Sequence, residues 1–109
     1  MAGEPLKPIY SSRRDDPSAG EAVDRFVVDL AERIDLLQDA EAAGDVGQLM
    51  ALIGGLTVAA DAAGFDAFAA VARAIDAACA KDDPKLVREK LLELTEIAQR
   101  IRLGHKGSA

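Results

Sequence analysis

Apolar side chains in this chain recur at intervals of three and four residues in four consecutive blocks, and nowhere do they alternate with period two for long enough to make a sheet. Val23, Phe26, Val27, Leu30, Ile34 and Leu37 form the first stripe, opened by Ser18 and Glu21 as a capping box and closed at Gly44. Asp45, with Gln48 three residues on, caps a second block carrying Val46, Leu49, Leu52, Ile53, Leu56 and Ala60, which Gly64 stops. Asp66 is placed to cap a third, with Phe68, Val71, Ala72, Ile75 and Cys79 as its stripe. Pro84, after Asp82 and Asp83, suits the first position of a fourth, whose core face is Val87, Leu91, Leu94, Ala98 and Ile101 before Gly104. The spacing predicts helices over 18–43, 45–63, 66–81 and 84–103, with Phe26, Leu30, Leu49, Leu56, Phe68, Ile75, Leu91 and Leu94 inside.

Links of a few residues make consecutive helices antiparallel neighbours, and four amphipathic helices so joined bury their stripes as an up-and-down four-helix bundle, an all-α fold. Only 4% of residues are aromatic and 22 are alanine, so the core must form by close approach of small side chains. Pro5, Pro8 and Pro17 make residues 1–17 an extended lead-in, ordered only if Leu6, Ile9 and Tyr10 pack on the body. Residues 104–109 read as a flexible tail after a bundle spanning 18–103.

A net charge of −6 repels phosphate backbones, so nucleic acid is not an expected partner. The longest uncharged run, residues 46–60, falls short of the roughly 20 apolar residues that cross a bilayer, and MAGEPLKPIY has no apolar signal core. A single cysteine, Cys79, excludes an internal disulfide and a cysteine-based zinc cluster. Cytoplasmic location, with no membrane partner, is the expectation.

Candidates for chemistry are few. The one histidine, His105, lies beyond Gly104, where nothing would hold it in the geometry a general base needs. Cys79 falls on an apolar stripe, as a small buried hydrophobe does. Neither paired inward glutamates nor a Glu-x-x-His spacing occurs, so no metal or other cofactor is expected. The opposite charges of the fourth helix, Lys85, Arg88, Glu89, Lys90, Glu93 and Glu96, are those of a solvated face.

The second helix is unusual. Gly47, Ala51, Gly55, Ala59 and Ala63 recur every fourth residue, and Gly54 adds a further glycine at about 1 kcal/mol relative to alanine. Away from its leucine stripe it presents Gly47, Ala51, Gly54, Thr57, Val58 and Asp61. Two explanations stand: small residues that allow close packing inside the bundle, or a flat docking surface.

Residues 49–65, LMALIGGLTVAADAAGF, preceded by a helix ending in AAGD, resemble the histidine phosphotransfer (HPt) domains of bacterial two-component phosphorelays. Those domains carry L-x-x-L-A-H-x-L-K-G-[AS]-[AS]-x-x-x-G-[FY] on the equivalent helix. Leu49, Leu52, Leu56, Ala59, Ala60, Gly64 and Phe65 match, and the likeness runs from about Ile9 to Leu103. The departures fall on the chemistry: Gly54 stands at the phosphoaccepting histidine, Thr57 at the lysine that balances phosphate charge, and Val58 at a glycine that admits a partner. His105 and Lys106 do not substitute, because they lack the two intervening residues that place both side chains on one helix face.

The resemblance implies an HPt-like, non-enzymatic module that has lost phosphotransfer and kept a docking face for a response-regulator receiver domain or a histidine kinase. That face comprises Ala51, Gly54, Gly55, Thr57, Val58 and Asp61. The alternative is a structural bundle that forms a homodimer through the same small-residue face.

Overall fold

The computed structural model describes residues 7–105. Four helices follow a single 3-10 turn at Pro17–Ala19: α1 (Gly20–Ala42), α2 (Val46–Ala63), α3 (Asp66–Ala80) and α4 (Pro84–His105). Each packs against the next in sequence and α4 returns to α1, so the chain is an all-α, up-and-down four-helix bundle. All eight residues expected inside are buried. Phe26 stacks on Phe65 at 5.2 Å between ring centroids and meets Phe68 edge-on at 5.3 Å, which gathers three of the few aromatic rings at one level of the core. Around them Ala60, Ala63, Ala69 and Ala72 are fully or almost fully enclosed, bringing α2 and α3 close together.

Three helices end in the same way. Gly44 and Gly64 adopt left-handed φ of 71° and 82°, and Asp82 does so at 56°. After α2, Gly64 N donates to Asp61 O and Phe65 N to Ala60 O, the paired bonds of a Schellman motif, and the bonds after α1 and α3 repeat it. The left-handed residue turns the chain back at once, which keeps each connection short.

Several start signals differ from the expected ones. Ser18 does not cap α1. Asp16 Oδ1 accepts from Ser18 N at 2.9 Å and Ser18 Oγ at 2.8 Å, because Pro17, with fixed φ and no N–H, begins a 3-10 turn one residue earlier. Asp66 lies in the first turn of α3 rather than capping it; the cap position is Phe65, whose ring is turned into the core directly after Gly64. Asp45 and Asp83 do cap α2 and α4, accepting from Gln48 N and Leu86 N at 3.1 Å each. Val46, counted in the second stripe, is exposed because it occupies the first turn beyond the reach of the core. Leu52 and Val71 are only partly buried, at the edges of their stripes.

Gly104 does not stop α4, which continues through His105. A Cβ at 104 would lie 2.8 Å from the Ile9 carbonyl and 3.1 Å from the Tyr10 ring, so this glycine lets the N-terminal segment pass close over the helix. From Lys7 to Ser11 that segment has no regular secondary structure, residues 12–15 form a turn, and together they act as a strap; residues 1–6 of the expected extended lead-in lie outside the described residues. Ile9 N donates to Arg100 O at 3.0 Å, Arg100 Nε donates to Lys7 O at 2.8 Å, and Ser12 N and Oγ both donate to Gly64 O. The buried Ser11 hydroxyl donates to Ala63 O. The serines thus satisfy carbonyls that the end of α2 leaves without intrahelical partners. Ile9 packs on the core, whereas Tyr10 is half exposed beneath the Arg14 guanidinium. Leu6 and the tail after His105 lie outside the described residues.

The whole of α2, 18 residues with mean hydropathy 1.5, is by length and composition long and apolar enough to cross a membrane, although its uncharged run alone falls short. In the bundle its Leu49, Ile53, Leu56, Ala60 and Ala63 are buried and the opposite side is open.

Candidate docking face

An α-helix advances 100° per residue, so burying Leu49, Ile53, Leu56 and Ala60 turns Gly47, Ala51, Gly54 and Val58 outward. All four are exposed, as is Gly55 beside them. Ideal Cβ atoms at Gly54 and Gly55 meet nothing within 4 Å, so neither glycine is there to let another helix approach within the bundle. Val58 stands out from this shallow strip, 71% exposed. From Val46 to Ala60 the helix carries no charge.

Two residues of the candidate face are engaged by their surroundings. Thr57 is half-buried on the α3 side, and its Oγ1 donates to Ile53 O at 2.8 Å, the back-bond of a helical threonine. Asp61 pairs with Arg73 of α3 and closes one end of the strip with a neutralised charge. On the α1 side the strip falls into a shallow apolar depression between Leu36, Leu52 and Gly55, with Arg33 at its edge. Gly54 brings no acceptor atom and the Thr57 hydroxyl is committed to its own helix, so the chemistry of this surface is contact: apolar, close-approaching and nearly neutral.

The residues weighed for other chemistry lie elsewhere. Cys79 is buried and lines a cavity of about 80 Å³ between the α1–α2 and α3–α4 turns. Burial pushes its thiol pKa up, and the nearby Asp76 carboxylate adds to the rise, so the protonated, poorly nucleophilic form is favoured. His105 is not in a free tail: it belongs to the last turn of α4, partly buried, with Nε2 3.4 Å from Asp24 Oδ1 of α1. Among the described residues no group of three or more His, Cys, Asp or Glu is placed to hold a metal ion.

Two features of the surface carried no signal in the pattern of apolar residues. The Ser11–Ser12 strap needs the α2 carbonyls to be recognised as its partner, 52 residues away. The α1 charge that borders the face, Arg33, looks in sequence like any residue of a solvated helix. Compared with known protein families, curated proteins and solved structures, the chain matches no family model, no curated protein and no solved structure.

Proposed function

We propose that this chain is a non-catalytic, HPt-like interaction module of two-component signalling, which docks a response-regulator receiver domain or a histidine kinase and accepts no phosphate. The observation that carries the proposal is the placement of Gly54. It sits in the middle of an exposed, uncharged helix face, with open space where a Cβ would be, at the position the HPt pattern gives to the phosphoaccepting histidine. A glycine at an exposed mid-helix position costs stability without serving the core. A partner's close approach to the helix backbone offsets that cost. Loss of the histidine and of the lysine position, Thr57, removes the nucleophile and the cation together while leaving the shape of the strip. A module of this kind occupies its partner as a competitor of phosphotransferring domains or as a scaffold, in the cytoplasm.

The test is to incubate the purified chain with a phosphorylated receiver domain and follow label and complex separately. A complex without label on the chain is expected. Label that disappears in His105→Ala would overturn the proposal in favour of phosphotransfer from the end of α4. A chain that binds neither receivers nor kinases, yet is a stable dimer broken by Gly54→Arg, would replace it with the self-associating structural bundle.

A further inference from the structure

Glu21, Arg25, Asp29 and Arg33 succeed one another at every fourth position of α1 and so form one ridge, about 18 Å long at 1.5 Å per residue. All four line the open groove between α1 and α2, whose other wall is the small side chains Ala59 and Ala62. Their charges alternate in sign. Neighbours at this spacing could pair within the helix, yet among the described residues none of the four takes part in an ion pair. Val28 and Leu36, two of the large apolar side chains left exposed, flank the ridge.

A ridge reading minus, plus, minus, plus is its own complement when reversed. Laid antiparallel on a second copy about a two-fold axis that crosses the ridge midway between Arg25 and Asp29, Glu21 faces Arg33 of the other copy and Arg25 faces its Asp29, and each pair occurs twice. We infer that the α1–α2 groove is a homodimer interface, in which the α1 ridges of two copies pair antiparallel through these four ion pairs, beside the wall formed by Ala59 and Ala62. The isologous arrangement closes on itself, so it stops at two copies. Exposed ion pairs are individually weak, so the dimer is concentration-dependent and salt-sensitive. This interface and the docking face border each other at Arg33, but Gly54 lies on the outward strip of α2 and not in the groove.

The experiment is sedimentation equilibrium of the whole chain up to about 1 mM, at low and at high salt, with Arg33→Glu and Glu21→Arg/Arg33→Glu alongside. The single variant sets Glu21 against glutamate twice; the double variant restores opposite charges at both ends. For the wild type, mass should double with rising concentration and added salt should reverse it. Arg33→Glu should raise the dimer dissociation constant at least about tenfold, equivalent to about 1.4 kcal/mol, and the double variant should recover it. Arg25→Glu with its rescue by Asp29→Arg repeats the test at the centre of the ridge, should either end variant fail to fold by circular dichroism. A wild type that remains monomeric at 1 mM overturns the inference. So does a single variant that dimerises unchanged, or a charge reversal that is not rescued.

Discussion

The same substitution at two glycines of one structural unit should have opposite effects. At Gly64 the backbone is left-handed, and a Cβ would lie 2.7 Å from Ser11 Oγ and 2.9 Å from Ser12 Oγ. Gly64→Ala therefore incurs about 1–2 kcal/mol for an L side chain in that conformation. It also forces the two hydroxyls off the carbonyls they satisfy, at about 1 kcal/mol each. Turning Ser11 away is not free, because its hydroxyl is buried against Ala63 O. The sum is a loss of about 3–4 kcal/mol. At Gly54, where the backbone is helical and the space open, alanine removes only the entropic cost of glycine, and Gly54→Ala should stabilise by about 0.5–1 kcal/mol. Urea unfolding of both variants at equal protein concentration, followed by circular dichroism, measures the contrast directly. A Gly64→Ala loss below about 1 kcal/mol would mean that the strap does not hold the end of α2. A destabilising Gly54→Ala would mean that position 54 is packed.

Leu56→Ala truncates a side chain that is 2% exposed and should cost about 2–5 kcal/mol in the same assay; less than about 1 kcal/mol would place α2 in the wrong rotation. Because the Cys79 thiol is buried and burial raises its pKa, a thiol reagent at neutral pH should label the native chain more slowly than the urea-unfolded chain, and equal rates would refute the assignment. The Ser18 hydroxyl, and then its backbone N–H, hold the Asp16 carboxyl below its usual pKa of 3.8. A depressed pKa contributes stability that is present above the unfolded value and lost as pH falls through the folded one. The stability advantage of wild type over Asp16→Asn should therefore be full near neutral pH and shrink below 3.8; an advantage that grows with acid would reverse the sign of the argument.

The core was legible because burial leaves a periodic trace: Leu30, Leu56, Ile75 and Leu94 repeat with the turn of the helix, and each is enclosed. Gly44 and Gly64 were legible as stops because left-handed backbone selects for glycine. Helix starts were less so. Ser18 and Asp66 are good capping residue types, but Pro17 moved the first cap to Asp16, and the turn at Gly64 left Asp66 one residue inside α3. Local propensity cannot weigh such shifts without the backbone path. Gly104 illustrates the same limit, since it tolerates a helix and admits the strap, and only the position of Ile9 shows which role it has. The strip on α2 was visible as a lack of side chains, but sequence alone left packing and exposure as equal explanations. Its openness at Gly54 and Gly55 comes from the structure. The alternating ridge on α1 is not legible as an interface in sequence, because opposite charges four residues apart ordinarily satisfy one another.

Whether the exposed strip around Gly54 receives a partner is tested most directly by Gly54→Arg. Arginine is the better helix former and would project into open space, so thermal unfolding should be unchanged or raised slightly. Titration calorimetry of wild type and variant against the receiver domains and histidine kinases encoded in the same genome then supplies the readout. The wild type should bind at least one of them, and Gly54→Arg, still folded, should lose at least about tenfold in affinity, or about 1.4 kcal/mol. Equal binding by a folded Gly54→Arg would contradict docking at the strip, and so would a wild-type chain that binds none of them.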